Sequence, residues 1–157
     1  SRRRVGSIIG DPLAIHNIAK GDERRKRVQG LMEVVGLNPE HYNRFPAEFS
    51  GGQRQRIGVA RALALHPKLI VADEPVSALD VSVGAQILEL LARLRQELSL
   101  TMILISHSLP VVAQLASRVA VMQSGKFVET GAAEQVLQSP QHPYTQALVA
   151  AVPDIPE

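Results

Sequence analysis

Two short apolar runs separated by one long amphipathic stretch constrain the fold of this chain more than any other feature. "KLIVAD" (68–73) and "TMILIS" (101–106) are continuous in Leu, Ile, Val and Met. Such runs, bounded by polar residues, predict strands buried on both faces, as in a parallel sheet. Between them, residues 82–98 carry Ile87, Leu88, Leu91, Leu94 and Leu98 on one helical stripe. A strand, a crossover helix and a second strand predict an α/β fold with a parallel sheet.

The first third of the chain reads differently. "GDPLAIHN" (10–17) predicts a turn leading into irregular structure. A helix over 22–35 follows, with Val28, Leu31, Met32 and Val35 on one face, ended by Gly36 and kept ended by Pro39. "NRFPAEFSGG" (43–52) predicts a loop. A second helix over 53–65 places Ile57, Ala60, Arg61 and Ala64 three and four apart, with Gly58 weakening it. These elements predict a helical subdomain over 1–65, ahead of an α/β core over 66–138. Within and beyond that core the sequence predicts a helix near 109–117 and a hairpin over 118–130 turning at Ser124-Gly125. Short helices near 132–138 and 143–151 complete the pattern.

Composition limits the function classes. The chain has 157 residues, 45% hydrophobic and 20% charged, with a net charge of +2 and only 3% aromatics. That suits one ordinary globular core built from aliphatic side chains. The basic clusters "SRRR" (1–4) and "ERRKR" (23–27) have no interleaved aromatics to stack on bases, so they read as solvated faces rather than as a nucleic-acid surface. The absence of cysteine excludes disulfides and Cys-ligated metal or iron–sulfur sites. No apolar run has the length of a membrane span, and no signal peptide is visible. The start at Ser1, without an initiator Met, suggests a piece of something longer.

Three places carry candidate chemistry. Asp73 and Glu74 end the first strand, at the carboxyl edge where α/β proteins bind ligands. An Asp there suits Mg²⁺, and the following Glu suits deprotonation of an attacking water. The competing reading is an acidic pair capping a helix. His107 ends the second strand on the same edge and suits a phosphate contact, although a lone His is more often structural. Ser50, Gly51 and Gly52 precede a helix starting near Gln53. Unpaired N–H groups, bare glycine backbone and a hydroxyl make such a turn suitable for phosphate; the competing reading is Ser50 as a plain N-cap. No G-x-x-x-x-G-K-[ST] loop accompanies it.

"FSGGQRQRIGVARAL", "LIVADEP", "SALD" and "ISH", in that order and at these intervals, resemble the ATP-binding-cassette (ABC) ATPases. "FSGGQ" resembles their signature, "LIVADE" the Walker B strand with its catalytic Glu, "SALD" the D-loop and His107 the switch His. "PVSALDVSV" and "SPQHPYTQALVAAVP" (139–153) resemble the oligopeptide/dipeptide importer branch, with 139–157 as its C-terminal extension. The resemblance implies part of a P-loop NTPase core with a parallel sheet plus an α-helical signature subdomain. It implies ATP and Mg²⁺ as cofactors, with Asp73 toward the metal, Glu74 as general base and His107 toward the γ-phosphate. Ser50, Gly51, Gly52 and Gln53 would hold the γ-phosphate bound by a second ATPase subunit, and Asp80 would lie at that dimer interface. Permease subunits and, indirectly, a solute-binding protein are further implied partners; nucleic acid is not. The implied place is the cytoplasmic face of a bacterial inner membrane, as a peripheral subunit.

The chain departs from the family pattern. It contains no Walker A loop, no adenine-stacking aromatic and no Gln-containing loop ahead of the helical subdomain. "SGKF" (124–127) reads as a hairpin turn, Ser108 stands where the family usually has Asp, and no cysteine-rich extension follows "HPYT". The chain by itself is therefore expected to bind ATP weakly and not to hydrolyse it. An unpaired edge is expected along 101–105, and Ser50 is expected away from Glu74 within one chain. Two other readings fit the same motifs: a soluble, non-transport ABC ATPase, which the "HPYT" tail and the lack of a long heptad run argue against, and a non-catalytic partner module, which an intact Glu74 argues against and the missing first half of the family pattern argues for.

Overall fold

Val5, Ile9 and Leu13, spaced by four, are all buried and form the inner face of helix α1 (Val5–Ile15). The "GDPLAIHN" stretch thus belongs largely to a helix, contrary to the turn expected there. Pro12 lies inside α1, where a missing N–H and a ring clash cost about 3 kcal/mol. Burying each of the three large aliphatics returns about 1.5–3 kcal/mol, so packing outweighs the breaker. The computed structural model describes residues 2–152; part of the tail motif, from residue 153 onward, lies outside them.

Helix α2 (Gly21–Val34) buries Val28 and Met32 and stops as the sequence predicts. Gly36 takes φ +76°, and its N–H donates to the Glu33 carbonyl while that of Leu37 donates to Met32. These are the two bonds of a Schellman stop. Arg56 donates to the Val35 carbonyl at 2.6 Å and Arg93 to that of Val34 at 2.9 Å. Two cations therefore satisfy the helix's last carbonyls and complement its negative end. Turns of 3₁₀ helix (Pro39–Asn43 and Pro46–Glu48) occupy part of the expected loop and lead to α3 (Gly51–Leu63). Ile57, Ala60 and Leu63 of α3 join the α1 and α2 side chains in one core.

A Cβ added at Gly30 or Gly58 would meet nothing within 4 Å. Each lies inside a helix, so Gly30→Ala and Gly58→Ala should each stabilise the fold by about 0.5–1 kcal/mol. Denaturant unfolding checks this; a lowered midpoint for either would contradict it.

Strand β1 (Leu69–Asp73), helix α4 (Val81–Glu97) and strand β2 (Thr101–Ile105) follow. Thr101 N–H donates to the Lys68 carbonyl at one end of the pair, and Glu74 N–H to the Ile105 carbonyl at the other. Both strands thus run the same way, as a parallel pair. Among the described residues β2 pairs only with β1. The expectation of burial on both faces is not met. Leu69, Val71, Ile103 and Ile105 are between 48% and 57% exposed, while the alternate positions are partly covered. Each strand has one covered face only. Leu98, expected on the buried stripe of α4, lies past the helix end and is exposed.

Two compact units form: Ser1–Ile70 with Pro75–Ile103, and Val71–Glu74 with Leu104–Glu157. In the second, α5 (Leu109–Leu115) leads to an antiparallel hairpin of β3 (Arg118–Gln123) and β4 (Lys126–Ala132). Ser124 and Gly125 take φ +49° and +77°, the paired left-handed conformations of a type I′ turn. "SGKF" is accordingly a hairpin turn. Helix α6 (Ala133–Gln138) packs on the hairpin, with Val136 beside Gly131 of β4, and α7 (Pro143–Ala150) closes the described chain.

Glu129 of β4 fastens the "HPYT" segment. Its carboxylate accepts from the N–H groups of Gln141 at 2.8 Å and His142 at 3.0 Å. These bonds hold its pKa below the ordinary 4.5, Gln141 contributing most, aided by the Thr145 hydroxyl, which lies close by but short of hydrogen-bond geometry. A depressed carboxylate stabilises the fold above its ordinary pKa and loses that contribution as pH falls through the lower folded value. The Gln141 and His142 amide resonances should therefore shift together in acid below pH 4.5. Glu129→Gln should remove that step, and an unchanged titration in this variant would contradict the assignment.

Candidate functional site

β1 ends at Asp73, and the next residue turns sharply. Glu74 takes φ +47°, a left-handed conformation that costs a non-glycine residue on the order of 1 kcal/mol. Its N–H is fixed on the Ile105 carbonyl at 2.8 Å. Its carboxylate meets the end of the neighbouring strand: Oε1 accepts from the His107 backbone N–H at 3.0 Å and lies 2.7 Å from His107 Nδ1. The ring contact is the largest cause of a pKa held below the ordinary carboxylate value, with the His107 backbone N–H adding to it. Toward an ionised carboxylate only a protonated Nδ1 gives an attractive contact, which fixes the proton on that nitrogen. The His107 side chain is 80% exposed and that of Glu74 33%, so the pair faces solvent.

Asp73 is exposed beside this pair. Among the described residues no three His, Cys, Asp or Glu side chains cluster as a metal cage. That donor set fits Mg²⁺, which commonly takes one or two carboxylates and fills its remaining positions with water and substrate phosphate.

The signature turn is built from its own sequence. Phe49 is buried, and Arg54 donates to its carbonyl at 2.8 Å. Ser50 is the N-cap of α3: its Oγ accepts from Gln53 N–H at 3.3 Å, and Gln53 Oε1 accepts from Ser50 N–H at 2.9 Å. This reciprocal box is the plain capping role, and it leaves the phosphate role open. A hydroxyl that accepts at a cap still has its own proton to donate. The amides of Gly51 and Gly52 belong to the first turn, whose N–H groups lack intrahelical partners. Gln53, by contrast, has both its N–H and its Oε1 committed to Ser50.

Asp80 is likewise a cap. Its Oδ1 accepts from Val83 N–H at 3.0 Å and from the Ser82 hydroxyl at 2.9 Å, opening α4 and lowering the Asp80 pKa, Val83 contributing most. Ser108, at the position where an Asp is usual, opens α5 without a side-chain cap. The structure thus joins Glu74 to His107 directly, with Asp73 adjacent in sequence, and builds Ser50 to Gln53 and Asp80 as two separate helix starts. Sequence reasoning missed Val83 and Glu129. A Val three residues after a capping Asp, and an acid 13 positions before "HPYT", were the only signals for them.

A family model described as "ABC transporter" matches residues 1–77, and one described as "Oligopeptide/dipeptide transporter, C-terminal region" matches residues 128–157. Two solved structures share the fold. One is a metal-chelate-type ABC transporter in an inward-facing conformation (TM-score 0.81, 26% identity, 98% of this chain and 60% of that one). The other is a dimeric ATP-binding cassette in a post-hydrolysis state bound to ADP and Pi (TM-score 0.71, 30% identity, 84% of this chain and 57% of that one). The chain belongs to the ATP-binding-cassette transporter family.

Within that family its relatives are ATP-binding proteins of peptide and glutathione transport. The oligopeptide transport ATP-binding protein of Streptococcus mutans is 50% identical over 98% of this chain and 50% of its own length. The dipeptide transport ATP-binding protein of Escherichia coli is 51% identical over 97% of this chain and 46% of its own length. The glutathione import ATP-binding protein of Salmonella typhimurium is 56% identical over 97% of this chain and 24% of its own length. The chain spans about half the length of the first two relatives and about a quarter of the third. Among the described residues no helix is long and apolar enough to cross a membrane.

Proposed function

We propose that this chain forms part of the ATP-hydrolysing subunit of an importer for peptides or related small solutes, coupling ATP binding and hydrolysis to transport. The observation that carries the proposal is the Glu74–His107 pair, a carboxylate held at a parallel-strand edge by the residue that ends the neighbouring strand. Glu74 accepts a proton from the water that attacks the γ-phosphorus. His107 donates to Glu74 through Nδ1, and the far edge of its exposed ring contacts the γ-phosphate. Asp73 would hold Mg²⁺, which would supply positive charge beside the phosphates.

The signature turn acts on a second cassette. Ser50 Oγ–H and the Gly51 and Gly52 amides donate to the γ-phosphate held there by a P-loop, with Gln53 fixing Ser50 in place. Asp80 sets the turn that faces the same partner. Permease subunits receive the motion, a solute-binding protein delivers the cargo, and the assembly lies on the cytoplasmic face of a bacterial inner membrane. The names of the relatives and the dimeric cassette with similar fold support this reading.

Cross-linking tests the assignment in trans. This sequence has no cysteine, so Ser50→Cys introduces a single thiol into it, and any cysteines elsewhere in the cassettes are replaced beforehand. Paired with a P-loop cysteine in the partner cassette, it should give an interchain disulfide that forms faster with ATP. Interchain linkage that is absent or indifferent to ATP would overturn the assignment.

A further inference from the structure

Gly52 looks at first like a glycine left bare for phosphate. Its surroundings indicate otherwise. It is buried, and a Cβ built on it would overlap the Val83 Cγ1 methyl of α4, three residues after the capping Asp80. Gly51 differs: its Cβ would lie 3.2 Å from Leu79 Cδ2, the far end of a flexible side chain that can turn aside. Val83 cannot, because a β-branched side chain in a helix has essentially one rotamer. Gly58, farther along α3, has open space around it. The signature turn and the Asp80 turn are thus pressed together within one unit, and one methyl group sets their spacing.

We infer that the bare backbone at Gly52 is demanded by Val83 rather than by bound phosphate, and that this contact positions the signature turn on the start of α4. Val83 is a positioning residue in this account. The functional consequence rests on the phosphate-reading role proposed above; the packing itself does not. Without the obstruction, Ala at 52 would be favoured, because Ala is the better helix former. The sign of the substitution should therefore depend on residue 83.

The test uses Gly52→Ala, Val83→Ala and the double variant in a complete cassette containing this sequence and a P-loop. Thermal unfolding is measured, and ATP turnover is measured well below each Tm. Gly52→Ala alone should lower Tm by roughly 4–8 °C and turnover by roughly tenfold. The same change in the Val83→Ala background should leave Tm equal to or above that of Val83→Ala, and should restore turnover. Failure to regain either quantity, or a Gly52→Ala protein with undiminished Tm, overturns the inference. Ser50→Ala serves as the independent arm. Unchanged turnover there would overturn the phosphate-reading role while leaving the Gly52–Val83 coupling in Tm untouched.

Discussion

In a complete cassette containing this sequence and a P-loop, Glu74→Gln should lower ATP turnover by about 10²–10⁴-fold while ATP binding is retained. The side chains have the same shape. Gln keeps a carbonyl oxygen for the His107 backbone N–H, which Glu74 Oε1 engages at 3.0 Å, so the edge geometry survives. What disappears is the negative charge and the lone pair able to take a proton from water. The 2.7 Å contact with Nδ1 is charge-assisted, and it weakens with the same substitution. Single-turnover hydrolysis and nucleotide-binding measurements separate the two effects. Near-normal hydrolysis in this variant would remove Glu74 from the role of base.

A second large effect concerns the chain by itself. At micromolar concentration it should associate with other copies rather than remain a 17.0 kDa monomer. The cause is local. β2 pairs only with β1 among the described residues, and Val71 and Ile105 expose about half their surface. An open apolar strand edge templates pairing with another chain, and charge placed on such a strand opposes it. Val71→Lys combined with Ile105→Lys should therefore return the protein to the monomer mass in sedimentation velocity. A wild-type chain that is monomeric throughout that range would refute the argument.

Much of the architecture was legible because it rests on local pattern. Gly36 ended α2 as its position predicted, Ser124-Gly125 turned the hairpin, and the apolar runs gave both strands within a residue. The strand ends also placed Glu74 and His107 on one edge. What escaped has physical reasons. "GDPLAIHN" reads as a turn, so the spacing of Val5, Ile9 and Leu13 goes unused; burial of those three overrides Pro12. A continuous apolar run reports that a strand can be covered on both faces, never what covers it, and here one face is open. The fit of Gly52 against Val83 joins residues 31 positions apart by a single methyl. No periodicity carries such a contact. Of the two readings of Ser50, the structure shows the cap, which leaves the hydroxyl proton able to donate.

The left-handed backbone at Glu74 has a consequence for anyone who would improve this protein. Judged by torsion alone, position 74 favours Gly or Asn, so selection for heat tolerance, or an algorithm that scores residues by backbone fit, would drift toward them. On the role proposed for Glu74, the more robust molecule would have lost its proton acceptor. Thermostability screens run without a turnover assay should thus enrich inert variants at this one position, and any engineering campaign has to hold residue 74 fixed while it works elsewhere.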